Sequence, residues 1–175
     1  VSTTHVRAND EHTDWKDIRL YIETFRKQNL NFLEILFTNY YSIHRDYFDQ
    51  WERLMKHNEE IAHMNPYQSV KSMQGIAKEK YHAMEHHYPK RMHMIDKYGY
   101  DPKQLHHLLR IEDFISRYIA CVPYEECMIP LKGEYLVNVK QGCHSLEEAR
   151  FLADRSMSNI DEMAKYFLEK VENKA

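Results

Sequence analysis

The sequence predicts a mainly α protein: a single helical domain of about six to seven helices over residues 13–175, behind an N-terminal arm at residues 1–12. Three observations lead there. Apolar side chains recur at three- and four-residue intervals along much of the chain, the spacing that gathers them on one helix face. Two Asx-Pro pairs, Asn65-Pro66 and Asp101-Pro102, read as helix starts, because the polar side chain caps free amides and proline suits the first helical position. Four glycines and five prolines in 175 residues point to long regular elements with few tight turns.

Taken in order, Trp15, Ile18, Ile22 and Phe25 mark a first helix that ends near Lys27, where Asn29-Leu30-Asn31 breaks it. Phe32, Leu33, Leu36 and Phe37 form a short apolar helix around Glu34. A third helix, from Arg45 to Asn58, is expected to bury Phe48, Trp51, Leu54 and Met55. Asn65-Pro66 opens a helix that carries Val70, Met73, Ala77, Tyr81 and Met84 towards Pro89, and a short element spans Arg91 to Lys97. The helix begun by Asp101 has Leu105, Leu108, Ile111, Ile115 and Ile119 on one face. Pro123 and Pro130 bracket Cys127-Met128-Ile129, and Tyr135 to Lys140 fits strand or helix, so the segment near 123–140 is read as irregular or strand-like. Ser145 with Glu148 forms a capping box for a last helix with Leu146, Ala149, Ala153, Ile160, Met163 and Phe167.

Composition narrows the function classes. Hydrophobic residues at 43% and charged residues at 29% are ordinary for a globular chain. A net charge of −3 provides no global basic field, so a nucleic-acid contact would need a local patch. Thirteen tyrosines supply polar-tipped core residues or stacking surfaces for bases. Cys121, Cys127 and Cys143 are odd in number and lack CxxC spacing, which argues against a disulfide framework or zinc ribbon and for a reducing cytoplasm. No apolar run reaches membrane-spanning length and no signal-peptide core precedes the first helix, so no membrane partner is expected. The chain begins at Val1, which fits a processed end, an alternative start or a fragment.

The stretch from Lys97 to Arg110 carries the densest chemistry. Gly99 permits a turn before the Asp101 cap. Lys103, His107 and Arg110 then recur at i, i+4 and i+7, opposite the Leu105–Leu108–Ile111 stripe, with His106 and Arg117 beside them. Such a row makes an anion clamp or a solvated polar face. His86, His87, Lys90, Arg91, His93 and Lys97 would extend it into a basic surface. His82-Ala83-Met84-Glu85-His86 reads H-x-x-E-H, the pattern in which two histidines one helical turn apart hold zinc beside a glutamate base. A chain with 12 histidines also produces it by chance, and no further ligand stands out. Asp14, Asp17 and Glu34 are the carboxylates expected near a site. No Walker A loop, GxGxxG or GxSxG is present.

The run Tyr98-Gly99-Tyr100-Asp101-Pro102-Lys103, followed by His107-Leu108-Leu109-Arg110, resembles the "GYD-x-K … H-x-x-R" helix of predicted bacterial and phage nucleotidyltransferases. These belong to the DNA polymerase beta superfamily, in a group named for an RNA repair pathway. Asn29-Leu30-Asn31-Phe32-Leu33-Glu34-Ile35-Leu36-Phe37 is similar to that group's "NPN-x-LE-x-LF", with leucine in place of proline. Gly75-Ile76-Ala77 resembles its "GYA", and Val137 to Gly142 with Glu147-Glu148-Ala149 resembles its "IK-x-G … EEA". The likeness covers about residues 14 to 165. It implies nucleotidyl transfer from an NTP with Mg²⁺ or Mn²⁺, with Tyr100 stacking on a base or sugar and Lys103, His107 and Arg110 on phosphate. Asp14 falls where the group's third catalytic carboxylate sits. The Gly-Ser turn and the D-x-D strand that hold the two metals in that superfamily are both missing here. What is present resembles the helical C-terminal portion, which closes over the nucleotide.

Three functions follow as expectations. The first is the nucleotide- and substrate-binding portion of such an enzyme, inactive by itself and dependent on a separate catalytic domain. The second is a non-enzymatic helical module that binds an RNA end or a protein partner, and the third is an HxxEH zinc hydrolase. The nucleotide, the acceptor, the metal ligands and the oligomeric state are not legible in these residues.

Overall fold

The computed structural model describes residues 18–172 and, before them, Val6–Arg7 and Asp14–Trp15; side chains are described from Leu20 onward. The expectation of a mainly α fold holds, with ten α-helices and three single 3₁₀ turns among the described residues. Val6–Arg7 (β1) and Asp14–Trp15 (β2) form one antiparallel pair, Val6 opposite Trp15 and Arg7 opposite Asp14. The rest of the expected arm at 1–12 lies outside the described residues.

The first four helices are short. Ile18–Arg26 (α1) buries Phe25 but leaves Ile22 exposed. Asn29, expected only to break the chain, instead caps Leu30–Leu33 (α2), its side chain accepting from the Asn31 amide, and a 3₁₀ turn follows at Glu34–Phe37. Phe48–Lys56 (α3) buries none of its residues, contrary to the expected burial of Phe48, Trp51 and Met55. Only Leu54 from that helix packs against the core. Asn58–Ala62 (α4) is a helix of its own, not the tail of α3.

Asn65 opens Pro66–Ala83 (α5) by accepting from the Gln68 amide, as the Asn-Pro pair foretells. A 3₁₀ turn at Pro89–Arg91 leads into Met92–Tyr98 (α6). Asp101 caps Pro102–Ile119 (α7), accepting from the Lys103 amide. The segment read as irregular or strand-like near 123–140 is helical in both halves, as Tyr124–Met128 (α8) and Gly133–Lys140 (α9). Pro123 and Pro130 sit at helix boundaries, where proline costs no internal hydrogen bond. Leu146–Leu168 (α10) carries the full Ser145–Glu148 capping box.

The core forms where α5, α7 and α10 meet, and α8 and α9 cover α7 from the other side. Leu105, Leu108, Ile111, Phe114, Ile115 and Tyr118 of α7 pack with Val70, Met73 and Ala77 of α5 and Ala149, Ala153 and Ile160 of α10. Small residues on α10 let it approach α7 closely. Several tyrosines are core residues. Tyr124 stacks on Phe37 with ring centroids 5.0 Å apart, and Tyr118 stacks on His63 at 4.8 Å. Burial pushes the Tyr118 phenol up to about 12, and it moves Tyr124 in the same direction.

Gln28 is a buried polar residue with a positive φ of 50°. Its amide nitrogen donates to Phe25 O at 2.8 Å and Ile61 O at 2.9 Å, while its oxygen accepts from Ser69 Oγ at 2.8 Å. One side chain thereby joins the ends of α1 and α4 to the start of α5 and leaves no buried amide unmet.

Candidate functional site

The Gly99-Tyr100-Asp101 run is structural. Gly99 ends α6 with φ +78°, a left-handed conformation that glycine adopts without a Cβ penalty. Tyr100 is 0% exposed and its hydroxyl donates to His144 O at 3.1 Å. The expected stacking of Tyr100 on a base or sugar is therefore corrected: both ring faces lie in the core. The buried Asp101 carboxylate receives Arg91 Nη1 at 2.9 and 3.2 Å, and its backbone amide donates to Met84 O at 2.7 Å. Arg91 thus leaves the expected basic surface and becomes the partner of a helix cap.

Beyond this anchor, α7 turns its polar row towards a cleft of about 230 Å³ between α2, α5 and α7. Ile76, Ile111 and Phe114 give it an apolar floor; Asn31, Glu34, Lys80, His107 and Arg110 give it a polar rim. Arg110 Nη2 donates to Glu34 Oε1 at 2.8 Å, and Lys80 pairs with Glu79 at 2.7 Å. Lys103 lies one turn before His107 and does not line the cleft, though its charge reaches it. Burial lowers the His107 imidazole to about 4, with His106, Lys103, Lys80 and Arg110 adding to the shift. Burial also lowers His106, helped by Lys140, Arg110 and Lys103. His107 is therefore neutral at pH 7 and offers one ring N–H and one acceptor, between cationic neighbours.

The structure brings together residues that the sequence reading kept apart. Asn31 and Glu34 come from the 29–37 stretch, Ile76 from the 75–77 stretch, and His107 and Arg110 from the 100–110 stretch. Lys80 is the member that sequence reasoning missed; its place one helical turn after Ile76 was the available signal.

Other expected members lie elsewhere. Arg117 faces the C-terminal end of α8, donating to Glu126 O at 2.8 Å, Cys127 O at 2.8 Å and Ile129 O at 2.6 Å, and to Asp113 at 3.1 Å. Asp14 pairs through its backbone with Arg7, and its side chain lies outside the described residues, as does the whole of Asp17. α5 ends at Ala83, so His82 and His86 do not share a helix face, and Glu85 is held by Arg150 at 3.0 Å and closer. Among the described residues no group of three or more His, Cys, Asp or Glu side chains is placed to hold a metal ion. The described residues thus do not fit the Mg²⁺ or Mn²⁺ pair, which needs converging carboxylates. Glu34, in the cleft, is already bonded to Arg110.

The three cysteines are free thiols, and burial raises Cys127 to about 11. No helix among the described residues is long and apolar enough to cross a membrane. Comparison of the chain with protein-family models, curated proteins and solved structures finds no match.

Proposed function

We propose that this chain is the helical, nucleotide-facing portion of a nucleotidyltransferase, and that the cleft between α2, α5 and α7 takes the phosphates of an NTP. One observation carries the reading: three separate stretches that resemble the nucleotidyltransferase group converge on this one cleft, with Lys80, His107 and Arg110 on its rim. Lys80 and Arg110 would donate charge-assisted hydrogen bonds to phosphate oxygens. Neutral His107 would donate a further one without the cost of burying a third charge. Glu34 holds the Arg110 guanidinium in place from the side and so orients its remaining N–H groups.

In this reading the chain binds and does not by itself transfer nucleotides. Mg²⁺ or Mn²⁺ would be held by carboxylates of a separate catalytic domain, and an RNA end would be the acceptor. Three unpaired thiols accord with work in a reducing cytoplasm.

Calorimetric titration of the 175-residue chain with ATP and GTP tests the proposal. Arg110→Ala is expected to weaken binding by about 1.5–3 kcal/mol, with Lys80→Ala in the same direction. Equal affinity in the parent and both variants would remove the cleft as the phosphate site. Binding of a 5′-phosphorylated RNA oligonucleotide but of neither nucleotide would move the assignment to a helical RNA-end-binding module.

A further inference from the structure

On the far side of α7 lies a second and larger hollow of about 560 Å³, walled by α7, α9 and α10. Its volume falls within the range of about 300–1,000 Å³ in which proteins hold small organic ligands. Leu109, Leu136, Leu152 and Met163 form its apolar lining. Ser156 also lines it; this residue is 1% exposed and its Oγ has no hydrogen-bond partner. A buried hydroxyl without a partner costs stability unless something else completes it.

The charges around the hollow are unequal in availability. Glu112 already accepts from Asn159 at 2.7 Å, and Asp113 accepts from Arg117 at 3.1 Å and from the Leu131 amide at 3.4 Å. Lys132 and Arg155 make no ion pair among the described residues. Arg155 lies near the Tyr135 phenol, where it works against the upward shift that burial imposes. Cationic donors and one hydroxyl are therefore unspent; of the neighbouring carboxylates Asp113 is paired with Arg117, Glu112 is turned to the neutral Asn159 amide, and Glu162 is exposed at the rim.

We propose that this hollow is a second ligand site, for a small organic anion with an apolar or aromatic body. The carboxylate or phosphate monoester would sit against Arg155 and Lys132, the body against Leu109, Leu136 and Leu152, and a polar substituent would meet Ser156 Oγ. The site is separate from the cleft on the α2–α5 side and does not depend on the nucleotide assignment made there.

Two-dimensional ¹H–¹⁵N NMR of the full chain, titrated with phenyl phosphate and separately with phenylacetate, tests it. Saturating shifts are expected at the Leu136, Arg155 and Ser156 amides. The preferred probe identifies the anion as phosphate ester or carboxylate. Benzyl alcohol, which lacks the charge, is expected to bind at least about fivefold more weakly, as is either anion to Arg155→Ala. Ser156→Leu should abolish binding by filling the hollow; if that variant does not fold, Arg155→Ala, on an exposed position, decides alone. Absence of saturation at these amides overturns the proposal, as does unchanged affinity in Arg155→Ala. Weaker binding in Arg110→Ala but not in Arg155→Ala would assign the probe to the other cleft and equally overturn it.

Discussion

Helices α3 and α7 read alike in the sequence, each with apolar residues at helical spacing and charges between them, yet only one builds the protein. α7 buries Leu105, Leu108, Ile111, Phe114, Ile115 and Tyr118, whereas α3 has no fully buried residue; Phe48 at its start is 42% exposed. The difference lies in the neighbours. Four helices pack around α7, whereas α3 meets chiefly the turns at Glu34–Phe37 and Arg45–Tyr47. Amphipathic spacing shows that a face could be buried. Burial itself needs an opposing surface, and spacing is silent about that.

The sharpest way to break this contrast is to truncate one apolar residue on each helix. Leu108→Ala is expected to cost about 2–5 kcal/mol, the range for a cavity in a close-packed core. Phe48→Ala should change stability by less than about 0.5 kcal/mol. Urea denaturation of both variants checks it, and comparable losses would mean that α3 is packed after all.

The helix starts differ in the same sense. The 3₁₀ turn before α3 begins with His44 Nδ1 accepting weakly from the Asp46 amide at 3.4 Å, out in solvent. α7 begins with a buried carboxylate that caps the helix and receives Arg91. Asp101→Ala should therefore cost about 1–3 kcal/mol through the lost cap and an Arg91 left without its partner. His44→Ala should cost a few tenths at most. Thermal unfolding of the two variants ranks them, and a reversed order would show that the Asp101 cap is dispensable.

A subtler contrast appears on acidification. His107 holds its proton less tightly in the folded chain, with a value of about 4 against an ordinary 6.5. The unfolded chain therefore takes up that proton first, and this contribution to stability falls as pH drops from about 6.5 to about 4. His107→Gln should flatten the fall in melting temperature across that window relative to the parent. Parallel curves for the two proteins would mean that His107 is not held neutral by its surroundings.

The helices that own strong local signals were legible. Asn65-Pro66, Asp101-Pro102 and the Ser145–Glu148 box each cap the helix expected of them, because caps depend on side chains within a few residues. The 123–140 segment misled for the opposite reason. Its two prolines suggest extension, yet each merely bounds a short helix whose buried Tyr124, Cys127, Leu136 and Val139 are supplied with partners by α7 and the rest of the core. His107 and Arg110 were picked out by their spacing. Lys80 was not, since its place one helical turn after Ile76 gains meaning only once α5 packs on α7. Tyr100 failed as a ligand-stacking residue because a one-dimensional pattern does not distinguish a tyrosine at a pocket mouth from one whose hydroxyl is answered by a carbonyl 44 residues away.

Arg117 has a consequence for the end of α8 and the residue after it. The carbonyls of Glu126, Cys127 and Ile129 are all answered by its guanidinium. In a sheet, such groups would be answered by successive amides of a neighbouring strand, and losing one bond would leave the others standing. Here one side chain plays the part of that neighbour for the Cys127 and Ile129 carbonyls, while Glu126 O also accepts from the Ile129 amide at 3.1 Å, so the end of α8 is held by Arg117 and by its own backbone together. Lys132, at the rim of the larger hollow, lies three residues after Ile129. The shape of that rim is thus tied in part to one rotamer on the central helix.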